Sequence, residues 1–157
     1  MGMCVSVRGI KAGDVNVFLN GPSENFSHSN DANSVSLEKA WHGLHFLLTG
    51  SGMEGELPLA FILQGGKEVG EDTGYGPPRF FDHAQVAELH TALEAISDDE
   101  LWSRFDAEQM SADSVYPFIW EEPESELREE YTHYFHELKK LVRKADAEKI
   151  GLLLMLT

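Results

Sequence analysis

Leu152-Leu153-Leu154-Met155-Leu156 places five apolar side chains in succession near the end of the chain. Five residues is strand length, and a strand with one wet face alternates apolar with polar. The lack of alternation predicts a strand buried on both faces. A sheet covered on both sides needs other elements packed over it, so this run sets the fold class. We read residues 1–157 as one mixed α/β domain, a small sheet with helices packed around it in layers.

The rest of the chain supplies those layers. Leu127, Tyr131, Tyr134, Phe135, Leu138, Leu141 and Val142 recur at helical spacing and predict a long helix over Glu124–Ala145. Asp82-x-x-Gln85 has the form of a capping box, followed by Val86, Leu89, Leu93 and Ile96 at helical spacing. Ser97-x-x-Glu100 repeats the form before a short helix through Leu101, Trp102 and Phe105. Leu37, Trp41, Leu44, His45 and Leu48 fall on one helical face, with Ser36 as N-cap and Gly50 and Gly52 as the stop. Met3–Ile10 reads as a strand, and Val15, Val17, Phe18 and Leu19 as a second short apolar segment. Gly21–Ser34 reads as a loop, and Leu57–Leu63 as a buried strand by its length, with a short helix as the alternative. Lys67–Arg79 is a Gly- and Pro-punctuated loop ending in an extended Arg79-Phe80-Phe81, and Asp106–Trp120 reads as irregular.

Acidic side chains outnumber basic ones 27 to 12, for a formal charge of −15. That field repels phosphate backbones and anionic membrane surfaces, so neither nucleic acid nor membrane is an expected partner. It suits a basic protein or peptide partner, or solubility alone. The single cysteine, Cys4, excludes an internal disulfide and a multi-cysteine zinc site, and is expected to be a buried, inert thiol. The start of the chain lacks the basic-then-apolar pattern of a signal peptide, and no apolar run is long enough to span a bilayer. The expectation is a cytoplasmic protein.

Two segments carry residues beyond what a core needs. The first, Ala40 to Gly52, contains Trp41, His42 and His45. Imidazoles three apart on a helix can reach one point, as for a metal or a paired base, but no H-E-x-x-H pattern or third ligand is present. His45 lies on the apolar face beside Trp41 and Leu48, which favours a core histidine hydrogen-bonded to backbone over a ligand or metal site. The second, Gly74-Tyr75-Gly76-Pro77-Pro78-Arg79, fixes an unusual backbone path that aims Tyr75 and Arg79. Arg79 there can clamp a ligand's carboxylate or phosphate; the structural alternative pairs it with one of the chain's own 27 carboxylates or has it cap carbonyls. Tyr116-Pro117-Phe118-Ile119-Trp120 fits either a core or a pocket wall, and Trp120 joins the candidate lining. His133 and His136 repeat the three-residue spacing among Glu129, Glu130, Glu137 and Lys139, as on a solvated face. Gly65-Gly66-Lys67 fails the phosphate-loop order, Ser51 is part of a helix stop, and no nucleophile sits in a recognisable setting. No cofactor and no metal are expected.

Four segments resemble one family in the same order: Trp41 to Gly50, Gly74 to Phe80, Val115 to Trp120, and Tyr134-Phe135-x-x-Leu138-Lys139 leading into the apolar end. With the Met1-Gly2-Met3 start, the chain resembles the YfbM-like family of bacterial proteins of unknown function. The resemblance implies a small, single-domain, cytoplasmic bacterial protein with layered helices and sheet. It brings no activity and no catalytic residue. Pro78 stands where the family has a small residue, and Lys11–Val35 departs from the helix the family has there. The expected function is a non-enzymatic protein- or peptide-binding module, inhibitor- or immunity-like. The alternative is an enzyme or small-ligand sensor with a pocket lined by Trp41, His42, His45, Tyr75, Arg79 and Trp120.

Overall fold

The terminal apolar run is the central strand of the sheet. The computed structural model describes residues 2–21 and 32–157. Five strands, β1 (Val5–Ile10), β2 (Ser34–Glu38), β3 (Lys67–Glu68), β4 (Arg79–Phe81) and β5 (Gly151–Leu156), form one sheet in the order β2-β1-β5-β4-β3. Every neighbouring pair is antiparallel. Val5, Val7, Phe81, Leu152 and Leu154 point into the main core on one face. Ile10, Leu153 and Met155 point to the other face, where Val15, Phe18, Leu19, Val69 and Phe80 cover them. Both faces of β5 are therefore dry, as its unbroken apolar run requires.

The main core lies between the sheet and the helices α2 (Trp41–Thr49), α3 (His83–Glu94) and α6 (Glu124–Glu148), with α4 (Asp98–Trp102) and α5 (Ala107–Ala112) completing the layer. The short helix α1 (Val15–Leu19) contributes to the opposite face. α3 opens on the reciprocal capping box its sequence encodes, with Gln85 N–H on Asp82 at 2.9 Å and Asp82 N–H on Gln85 at 3.0 Å. Ser97 and Asp106 cap α4 and α5 by accepting the Glu100 and Gln109 N–H groups. Most of the loop expected over Gly21–Ser34 lies outside the described residues.

Three expectations need correction. Ser36 is not an N-cap: it lies on β2, and the helix begins at Trp41. Leu37 fitted the helical spacing because it is buried, but from a strand, and the backbone turns at Glu38 with φ 47° before the helix starts. Leu59–Ile62 is a single 3-10 turn rather than a strand; Ala60, Phe61 and Ile62 are buried one after another because the turn is enclosed. The region Asp106–Trp120 is not wholly irregular, since α5 occupies its first half.

α2 is buried all the way round: every residue from Trp41 to Leu48 is in the interior. Gly43 permits this. A Cβ there would sit 2.5 Å from Trp120 and 2.7 Å from Tyr131 of α6, so only a glycine lets α2 approach this closely. The helix then stops at Gly50, whose φ of 82° is the left-handed cap that glycine adopts without strain.

Candidate functional site

Five segments meet around a cleft of about 120 Å³. Val5 of β1 and Leu154 and Leu156 of β5 form its floor, Trp41 opens α2 on one side, and Ile62 and Leu63 close the 3-10 turn. Tyr75, Pro77 and Arg79 come from the Gly-Pro loop and β4. The sequence had singled out Trp41, Tyr75 and Arg79, and the fold brings these three together.

Each is held from behind. Asp72 accepts the N–H groups of Gly74 and Gly76 at 2.7 and 3.0 Å, a local turn that fixes the loop. Thr73 ties the loop to β5 through a 3.3 Å bond to the Leu156 carbonyl. Tyr75 is thereby presented half-exposed at the rim. The Trp41 indole N–H donates to the Met3 carbonyl at 2.9 Å, and its ring stacks on His42 with centroids 5.1 Å apart. The Arg79 guanidinium donates to the Gly65 carbonyl at 2.9 Å and to the Ile62 carbonyl, and lies over the Phe81 ring at 5.6 Å. Burial pushes its pKa down, opposed by Glu68, its cross-strand neighbour. Among the described residues no carboxylate forms an ion pair with Arg79.

The imidazoles of α2 face elsewhere. Tyr116 N–H donates to His42 Nδ1 at 2.9 Å, so that nitrogen is unprotonated and Nε2–H donates to the Gly52 carbonyl at 2.7 Å. His45 Nε2 lies 3.0 Å from the Glu54 carbonyl, which requires the proton on Nε2. Its Nδ1 is buried without a partner among the described residues. Burial lowers both pKa values, so both rings are neutral at pH 7. The pair pins the loop after α2 back onto the helix. Trp120 is also core: its indole N–H donates to the Val115 carbonyl at 2.7 Å and its ring packs against Tyr131. The six candidates therefore do not line one pocket: Trp41, Tyr75 and Arg79 share the cleft, and His42, His45 and Trp120 sit in the interior.

Phe118 belongs to the aromatic segment that fits either a core or a pocket wall. It is 68% exposed, with φ 69°, a conformation bulky side chains avoid. It meets Tyr116 edge-on, and Tyr116 in turn lies 5.8 Å from Trp41, so an aromatic series runs from the cleft toward the surface. Cys4 is half-buried rather than buried, and burial followed by nearby Glu38 raises its thiol pKa, which keeps it protonated.

One cluster had no sequence signal because its members are far apart in the chain. Asp146 of α6 accepts from His90 Nδ1 at 2.6 Å and His83 Nε2 at 2.9 Å, stitching α3 to α6. These two bonds hold the Asp146 carboxyl below its usual range. Among the described residues, no three histidine, cysteine or carboxylate side chains are arranged to hold a metal ion. No described helix is long and apolar enough to cross a membrane.

The family model for a domain of unknown function, DUF1877, matches residues 1–155. The chain belongs to this family. Its fold is similar to the crystal structure of YfbM from Escherichia coli, a protein of unknown function, with a TM-score of 0.75 and 20% identity over 98% of this chain and 99% of that one. At that identity the likeness speaks for the fold. No curated protein matches. The DUF1877 assignment agrees with the resemblance read from the four sequence segments, and it carries no activity with it.

Proposed function

We propose that this DUF1877 protein is a non-enzymatic protein- or peptide-binding module whose cleft receives one apolar side chain of its partner. The size and lining of the cleft carry the reading. Pockets that enclose substrates or cofactors hold roughly 300–1,000 Å³, whereas this one holds about 120 Å³. That suits a single anchoring side chain. Trp, Tyr and Arg are also the residues that concentrate binding energy at protein interfaces, and here one of each lines the same cleft. Tyr75 at the rim and Phe118 on the neighbouring loop offer exposed aromatic area for the rest of the partner.

The charge of −15 favours a basic partner, and an inhibitor- or immunity-like role in a bacterial cytoplasm accords with it. An enzyme or sensor built on a His/Arg/aromatic pocket has less support. His42 and His45 spend their nitrogens on the loop after α2 rather than in the cleft.

Random-peptide display against the wild-type protein, with counter-selection on Tyr75→Ala, tests the reading. Tyr75 is half-exposed, so its removal leaves the core intact. The expected outcome is a set of basic peptides sharing one apolar residue, which shift the Trp41 indole NMR signal. Selection that enriches nothing, or peptides that bind Tyr75→Ala equally well, would refute it.

A further inference from the structure

We infer that the cleft recognises a peptide by its free C-terminus: the last side chain, apolar, lies against Trp41 and Tyr75, and its α-carboxylate bonds to Arg79. This rests on the peptide-binding reading above and names the chemistry of the occupant.

The argument begins with Arg79. The chain has 27 acidic residues, yet among the described residues none forms an ion pair with this guanidinium. Glu68 stands opposite it in the β3–β4 register without doing so. Its hydrogen-bond partners are two neutral carbonyls, Ile62 and Gly65, and these take two of its five N–H groups. Glu68 acts on this half-buried cation only from beyond ion-pair distance, so its remaining N–H groups have no carboxylate bound to them, and an anion arriving there gains a charge-assisted bond. The two carbonyls also fix the guanidinium in advance, so little side-chain entropy is lost on binding.

The cleft selects among anions. Val5, Ile62, Leu63, Leu154 and Leu156 give it apolar side chains beside the polar groups of Tyr75 and Arg79, in a volume of about 120 Å³. A chain terminus carries a carboxylate and a side chain on one carbon, which matches a guanidinium beside an apolar wall. An internal Asp or Glu has no apolar branch to fill that wall. An internal apolar residue has no charge for Arg79. The field of the rest of the protein, −15, favours basic residues upstream of that terminus.

The test uses two peptides of sequence Lys-Lys-Gly-Ser-Ala-Leu, one ending in the free acid and one in the amide, titrated into ¹⁵N-labelled protein. The amide carries one more positive charge, so the overall field alone would favour it. The inference expects the acid to bind about tenfold more tightly. It should shift the Trp41 indole and Tyr75 amide signals, and Arg79→Gln should abolish its advantage while the remaining spectrum is unchanged. If acid and amide bind equally, or the amide binds better, with Trp41 shifted, the carboxylate role is overturned and the apolar-anchor reading stands. If no acid or amide ending in Leu, Ile or Phe shifts Trp41 at millimolar concentration, both readings fall. Should Arg79→Gln not fold, the acid-to-amide comparison on the wild type decides alone.

Discussion

Two helices of this protein carry histidines at the same three-residue spacing, and the two pairs have opposite fates. On α2, His42 and His45 are interior, neutral and bonded to the carbonyls of Gly52 and Glu54. On α6, His133 and His136 are exposed, and His136 Nε2–H donates to the Asp98 carboxylate at 2.8 Å. Spacing places two side chains on one side of a helix; what that side faces decides their chemistry. α2 is enclosed on all sides, so an imidazole there is a rigid two-ended connector between backbone groups. α6 keeps one face in water, where the same ring is a solvated partner for a carboxylate.

The largest effect should come from His42. Replacing it with Ala leaves the Gly52 carbonyl and the Tyr116 N–H buried without partners and removes the ring under Trp41. A loss of about 3 kcal/mol in urea unfolding is expected. A loss under about 1 kcal/mol would mean the interior pair is no more structural than the exposed one.

Acid should separate the pairs next. The folded-state pKa values of His42 and His45 lie below the unfolded value near 6.5, so in this window the unfolded chain binds more protons. Stability therefore rises with pH through that window and falls on acidification below about 6.5, by up to about 1.4 kcal/mol per pH unit for each ring. Unfolding measured at pH 7.5, 6.0 and 5.0 should show this slope in the wild type and a shallower one in His45→Gln. An unchanged slope in the variant would show that His45 does not carry the linkage.

The smallest effect belongs to the α6 pair. The double change His133→Ala with His136→Ala removes an exposed contact to Asp98, whose side chain is 44% accessible, and should alter stability by less than about 1 kcal/mol. A larger loss would erase the contrast between the helices.

That contrast also marks what the sequence could disclose. α6 has a stripe of apolar residues over a solvated face, so its period announced it and its face assignments held. β5 was legible for the opposite reason, because nothing interrupted its apolar run. α2 misled at its start: when every residue is buried, the period no longer marks the boundary, and Leu37 on the adjoining strand extended the pattern falsely. The Gly and Pro residues of the 74–79 loop single out Tyr75 and Arg79, and both line the cleft. That Arg79 would bond Ile62 and Gly65 depended on the 3-10 turn folding beside it, which no local pattern encodes. Gly52 and Glu54 likewise reach His42 and His45 only because their loop doubles back.

The central pairing of the sheet joins β1 to β5, with Val5 opposite Leu156 and Ile10 opposite Gly151. These strands come from opposite ends of the described sequence, so the most buried ladder is also the most distant along the chain. Forming it closes a loop that contains nearly every other element, and the entropy of that closure precedes any reward from the sheet. A chain growing from its N-terminus makes β1 long before β5, and the β1 edge that faces β5 has no partner until β5 is made. Helices such as α3 and α6 can form earlier on local signals, but they have no finished sheet to pack on. β5 is thus the strand that turns a collection of helices into a cooperative fold.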